Sequence, residues 1–207
     1  MYRAAHPGIL VQAIVKSGKL TPMAARGELL TVGHSNHEEA RFIGLLKEGG
    51  VQTIVDVRAQ PRSGRNPQFN GAALAASLES ADIGYETLGR ELGGRRAPIE
   101  GSGTNAAWDD EAFRGYADHM ASREFSDGLA DLAEIARASR TAIMCAEGDW
   151  RICHRRLVAD AMTTSGWTVL HLRPDGSLEE HELDANLVLD EGRLTYPVLP
   201  GQTSLEV

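Results

Sequence analysis

A chain of 207 residues with a formal charge of -8 and 24% charged residues is long enough for one sizeable core and balanced like a globular domain. No apolar run approaches the roughly 20 residues that cross a bilayer, which excludes a membrane span. The acidic total excludes wholesale electrostatic binding of nucleic acid, though not a local basic patch. Two cysteines are too few for a disulfide scaffold and fit a reducing, cytoplasmic setting.

Residues 1–28 show no clear period and read as an N-terminal extension. Their one apolar stretch, Leu10–Val15, is interrupted by Gln12 and followed by Lys16 and Lys19, the wrong order for a signal peptide. From Leu29 an alternation begins. LLTV (29–32) predicts a strand, 38–47 a helix with Phe42, Leu45 and Leu46 inward, and VQTIVDV (51–57) a buried strand. Residues 71–81 predict a helix, 84–88 a short strand, and 109–122 and 124–138 two helices with acidic first turns. A buried strand at 141–146, a helix at 154–165 with Leu157, Val158, Ala161 and Met162 on one face, and a strand at 167–172 complete the series. Strands alternating with helices predict a single three-layer α/β domain over 29–197, with a central, mainly parallel sheet flanked by helices (Rossmann-like), and a surface tail at 198–207. Two long loops rich in Arg, Gly and Pro, 58–70 and 89–108, have the length of functional segments.

In a parallel sheet the residues just after each strand share one rim, where open α/β sheets bind ligands. That rim collects Gly33, His34 and Ser35 after the first strand, Asp56 and Arg58 after the second, and Cys145 and Glu147 after the fourth. Each has a structural alternative: His34 as a helix cap, Asp56 as a turn acceptor, Arg58 as its partner. Their convergence favours function. Nine arginines, Arg58, Arg62, Arg65, Arg90, Arg95, Arg96, Arg151, Arg155 and Arg156, fall in the three segments predicted for that face. Guanidinium forks match phosphate and carboxylate oxygens, so a basic mouth on an acidic body predicts an anionic partner: a phosphorylated metabolite, a nucleotide or a nucleic acid. The competing reading pairs these arginines with Glu79, Glu86, Glu91 and Glu100.

Both cysteines lie in one stretch, IMCAEGDWRICHRR (143–156). Three chemistries compete for it. Cys145, Gly148 and Arg151 match the Cys-x-x-Gly-x-x-Arg loop of cysteine phosphatases and related sulfurtransferases, but Glu147 and Asp149 oppose both an anion and a thiolate there. A metal reading would recruit Cys145, Cys153 and His154, with His34 in reserve. The x7 spacing is unfamiliar for zinc, however, and adjacent Cys153 and His154 are expected to diverge on a helical turn. The third makes Glu147 the working acid or base beside His34, Asp56 and Arg155, with Cys145 as a polarisable wall.

The ordered motifs TVGHS (31–35), DVRAQPRSGRNPQFN (56–70), GYETLGRELGGRR (84–96), FRGYADHM (113–120) and MCAEGDWRICHRRLVADAM (144–162) resemble the bacterial family of domain of unknown function 488, over about residues 29–197. The resemblance implies a compact α/β domain with one polar site built from the Gly-His-Ser turn, the Asp-Val-Arg strand end and the Cys-x-Glu to Cys-His-Arg turn. His34, Ser35, Asp56, Arg58, Pro61, Cys145, Glu147, Cys153, His154 and Arg155 match the family pattern. Gly148, Asp149 and Trp150 depart from a related form in which Pro-Trp-Arg precedes the second cysteine, which makes the Arg151 register incidental. The resemblance supplies no reaction.

The expectation is therefore an enzyme-like site with Glu147, His34, Asp56 and Cys145 as catalytic candidates. Ser35, Arg58, Arg62, Arg65, Arg95, Trp150, His154 and Arg155 would bind substrate, with Trp150 as a base-stacking or lid residue. No cofactor is predicted, and a metal at Cys145, Cys153 and His154 stays open. The rival classes are a non-catalytic nucleic-acid or ligand-binding module and a thiol- or metal-dependent redox protein.

Overall fold

The computed structural model describes residues 26–199. The extension and tail expected at 1–28 and 198–207 lie almost wholly outside the described residues. Five parallel strands, β1 (Glu28–Gly33), β2 (Thr53–Asp56), β3 (Gly84–Thr87), β4 (Thr141–Cys145) and β5 (Thr168–Leu172), and one antiparallel edge strand, β6 (Leu178–Glu180), form a sheet in the order β3-β2-β4-β1-β5-β6. A separate hairpin joins β7 (Val188–Asp190) to β8 (Arg193–Thr195).

Side-chain period 2 divides the core. Leu30, Val32, Ile54, Ala142 and Met144 face α1 (Glu39–Glu48) and α2 (Gly71–Glu79) through Phe42, Leu45, Leu46, Leu74 and Leu78. Leu29, Val55, Val57, Ile143 and Cys145 face α3 (Glu111–His119), α4 (Arg123–Ala138) and α5 (Arg155–Thr164). This is the expected three-layer α/β domain. Every residue of β4 is buried because the strand has neighbours on both edges and helices on both faces. Caps fix two helix starts: the Asp110 carboxylate accepts from the backbone amides of Ala112 and Phe113, and the Ser122 hydroxyl from that of Phe125.

The strand order creates one crevice. Connections after β1 and β2 run toward one edge and carry α1 and α2 on one face; those after β3 and β4 run back and carry α3 to α5 on the other. Adjacent β1 and β4 therefore send their chains to opposite faces, which opens a gap at their carboxyl ends.

Strands β6, β7 and β8 were not legible in the pattern. Each is three residues long, and the β7–β8 turn uses Glu191 and Gly192 at φ 48° and 79°, a positive-φ pair without the Asn-Gly or Asp-Gly signature. What holds the 181–196 segment is a buried polar chain. The Thr31 hydroxyl lies 2.7 Å from His171 Nδ1, His171 Nε2 3.0 Å from His181 Nδ1, and His181 Nε2 2.9 Å from the Asp160 carboxylate. Since the carboxylate accepts, His181 Nε2 donates to Asp160, and the chain runs on through His171 to the Thr31 hydroxyl. Tyr196 Oη and the Asp184 amide also donate to Asp160, which is fully buried. Asp160→Ala strips the shared acceptor from these donors and should lower the unfolding free energy by about 3 kcal/mol or more. Urea denaturation checks this, and a loss under about 1 kcal/mol would mean the network does not hold the segment.

Candidate functional site

The β1/β4 crevice contains a cavity of about 380 Å³ lined by residues from the β1 and β4 ends, both long loops and the start of α3. His34 and Ser35 extend the sheet ladder past its ends, their amides donating to the carbonyls of Cys145 and Ala146 at 3.0 and 2.8 Å. This close approach needs Gly33. A Cβ there would sit 1.9 Å from the Glu147 carbonyl oxygen.

The α1/α2 side of the site is a rigid buried support. Arg58 meets Asp56 through Nε and through Nη2 at 2.6 Å, and both residues are nearly inaccessible. Tyr85 Oη donates to the same carboxylate at 2.7 Å. Arg58 Nη1 donates to the Phe69 carbonyl at 2.8 Å and to His34 Nε2 at 3.2 Å, while the His34 ring stacks on Phe69 at 4.2 Å. His34 Nδ1 donates to the Ser35 carbonyl at 2.8 Å. Arg58 can only donate and a carbonyl can only accept, so the imidazole is neutral with both nitrogens occupied. Burial, with help from the Arg58 charge, pushes its pKa down to about 4. These contacts correct three expectations. His34 lines the cavity as a wall without a free nitrogen for proton transfer, Asp56 does not line it, and Arg58 spends four of its five donors inside the protein rather than on an anion.

The other side carries the reactive groups. Cys145 Sγ donates to Glu147 Oε2 at 2.9 Å, and Cys153 Sγ lies 3.3 Å from the same oxygen. Each sulfur is also 3.7 Å from His154 Nδ1. His154 Nε2 donates to the Val57 carbonyl at 3.0 Å, which fixes the tautomer and leaves the Nδ1 lone pair facing both sulfurs. The donor atoms of Cys145, Cys153 and His154 lie within 4.8 Å of one another, so this trio could hold a metal. The expected divergence of Cys153 and His154 does not occur. Trp150–Ile152 forms a single 3₁₀ turn, Cys153 is extended at φ -128° and ψ 144°, and α5 begins only afterward, which brings both side chains to the cavity.

Arg155 is 1% exposed and lies beneath the cavity. It donates to the Glu147 carbonyl at 2.6 Å and to Cys153 Sγ at 3.4 Å, so it shapes the turn instead of gripping substrate, as the sequence had suggested. Hydrogen bonding to Cys153, burial and the Glu147 charge push the Cys145 thiol pKa well up. Burial opposes the Cys153 thiolate, yet the Cys145 thiol and the Arg155 charge hold the Cys153 pKa well below the ordinary thiol range.

The phosphatase-like loop is not assembled. Arg151 pairs with Asp149 and Glu179, away from the cavity. Trp150 is 7% exposed, stacks on His171 at 4.0 Å and lines no part of the cavity, so it is a packed residue and not a lid. The arginines divide. Arg90 and Arg96 pair with Glu124, and Arg156 with Asp184. Arg62, Arg65 and Arg95 make no ion pair among the described residues, and Arg62 and Arg95 line the cavity while Arg65 does not. Phe113, Asn66, Gly94 and the 57% exposed Ile152 also line it, and nothing in their local pattern marked them.

A family model described as domain of unknown function DUF488 matches residues 39–162, more than half of the chain, including Asp56, Arg58 and the whole turn from Cys145 to Arg155. The chain belongs to the DUF488 family. No curated protein and no solved structure matches it. In this DUF488 domain the matched span supplies most of the cavity, and β1 with His34 and Ser35 completes it from outside that span.

His34 and His171 share one consequence. Burial is the largest cause in both, and it pushes His171 down to about 2 with the His181 charge adding to it. The folded rings stay neutral where the unfolded chain, with imidazoles near 6.5, already takes up protons. Stability is therefore expected to fall as pH drops below 6.5, with the His34 share complete near pH 4 and the His171 share near pH 2. Urea midpoints across this range, with imidazole NMR of the native protein, check the expectation; a native His34 or His171 that titrates near 6.5 would contradict it.

Proposed function

We propose that the cavity is the active site of an enzyme acting on a phosphorylated, nucleotide-sized substrate, with Glu147 as its acid/base. The observation that carries this reading is the division of the cavity wall. Arg62 and Arg95, without an ion pair among the described residues, stand at one part of it, and Glu147, Cys145, Cys153 and His154 form another. The first pair suits phosphate oxygens. The Glu147 side chain is exposed to the cavity, so a proton can enter and leave it.

A volume of about 380 Å³ falls in the small-molecule range of about 300–1,000 Å³. That favours a free nucleotide, another phosphorylated metabolite or one nucleotide of a nucleic acid over an extended duplex. Phe113 and Ile152 offer an apolar wall for a base or similar ring, and Ser35, Ser63 and Asn66 offer hydrogen bonds. Hydrolytic or glycosidic cleavage suits a single solvent-reachable carboxylate beside an anion grip. Two free thiols support a reducing, cytoplasmic setting, and no helix among the described residues is long and apolar enough to cross a membrane.

Incubation with nucleoside phosphates and a short single-stranded oligonucleotide, with products read by mass spectrometry, tests the reading. Glu147→Gln should bind the active compound but turn it over roughly 100- to 10,000-fold more slowly. Arg62→Ala and Arg95→Ala should each weaken binding roughly tenfold. Unchanged turnover in Glu147→Gln removes its role, and unchanged binding in both arginine variants removes the anion grip.

A further inference from the structure

We infer that Cys145, Cys153 and His154 hold one divalent transition-metal ion, zinc by donor chemistry, with a fourth coordination position open to the cavity.

Distance carries the argument first. A tetrahedral zinc with bonds of about 2.3 Å to sulfur and about 2.0 Å to nitrogen has sulfur–nitrogen edges of about 3.5 Å. Both sulfurs stand 3.7 Å from His154 Nδ1, so an ion fits among the three with little movement. The imidazole is already in the coordinating state. Its Nε2 proton is held by the Val57 carbonyl at 3.0 Å, the usual outer contact of a metal-bound histidine, and its free lone pair points at the sulfurs.

Charge gives a second, independent observation. Arg155 is 1% exposed and makes no ion pair with a carboxylate among the described residues; its Nε donates to Cys153 Sγ instead. A buried guanidinium without a counter-charge is strongly unfavourable. Two thiolates, the Glu147 carboxylate, Arg155 and a divalent ion sum to zero.

Space gives a third. A Cβ at Gly94 would lie 2.9 Å from His154 Nδ1, so glycine keeps the metal side of the ring clear. Cys145, Cys153 and His154 all line the cavity, so an ion they held would face it. Three protein ligands and an open position are the pattern of catalytic zinc, whereas structural zinc is closed by four.

The use of the ion rests on the reading of this cavity as a catalytic site; its binding does not. Metal binding expels the Cys145 thiol proton that now engages Glu147 Oε2 and frees that carboxylate beside the open position. Water at that position is acidified, Glu147 accepts its proton, and the oxygen forms a bond to the electrophilic atom of the substrate. The bond to the leaving group breaks, and Glu147 returns the proton to it. Water is the only co-reactant, and the net reaction is hydrolysis.

The test uses untagged full-length protein, reduced and loaded with zinc or with cobalt(II). Elemental analysis is expected to give about one zinc per chain. The cobalt form should show thiolate-to-cobalt charge transfer and the intense visible bands of a tetrahedral site. Cys145→Ser and Cys153→Ser should each weaken or abolish these bands, while Glu147→Gln should keep the ion. A wild-type protein that takes up neither metal, a cobalt spectrum without the thiolate band, or a disulfide between the two cysteines after purification under reduction would overturn the site. Loss of the ion in Glu147→Gln would overturn the open fourth position. A loaded protein without turnover sinks the proposed enzyme and leaves the metal site standing; turnover by metal-free protein removes the ion from the chemistry and leaves its binding to be decided by the elemental analysis and the cobalt spectrum.

Discussion

The structure depends on one constraint: β1 and β4 are parallel neighbours whose chains leave the sheet toward opposite faces. A gap at their ends follows from topology alone, and any side chain placed just after either strand must border it. The ladder bonds from His34 and Ser35 to the Cys145 and Ala146 carbonyls set its width, and Gly33 allows the Glu147 backbone to approach where any side chain would collide. The reactive turn is thus fixed by the sheet and does not rely on its own short loop.

The two sides of the gap do different work. On the α1/α2 side, Asp56, Arg58, Tyr85, His34 and Phe69 saturate one another, and a buried ion pair of this kind is rigid because breaking it strands a charge. On the α5 side, Arg155 plays the matching role under the turn, but its partners are a carbonyl and a sulfur. That difference leaves the second side electronically unfinished. It is where two thiols, a carboxylate and an imidazole lone pair face one space, and where perturbed groups mark function more strongly than the paired arginine does.

The sequence exposed the framework because its signals were local. The buried run 141–146 and the amphipathic face Leu157, Val158, Ala161 and Met162 needed no tertiary knowledge, and the rim rule then named His34, Glu147 and Cys145 correctly as cavity residues. Roles were less legible, because a role depends on who the partner is. Arg58 and Arg155 look like substrate grips in a list of arginines, yet burial turns both inward. Trp150 looks like a lid until His171, twenty-one positions on, stacks against it. Adjacent Cys153 and His154 diverge only if the helix starts before them, and the start of α5 at Arg155 could not be read to within one residue from periodicity. The short edge strand β6 and the β7–β8 hairpin carry too few residues for a period to show.

The most direct measurement is an anomalous diffraction map of a zinc-loaded crystal, recorded on both sides of the zinc edge. The account predicts a single peak between Cys145 Sγ, Cys153 Sγ and His154 Nδ1, with sulfur distances of about 2.3 Å, a nitrogen distance of about 2.0 Å and a fourth ligand of solvent facing Arg62 and Arg95. A peak elsewhere, or none with these three side chains splayed apart, would contradict it.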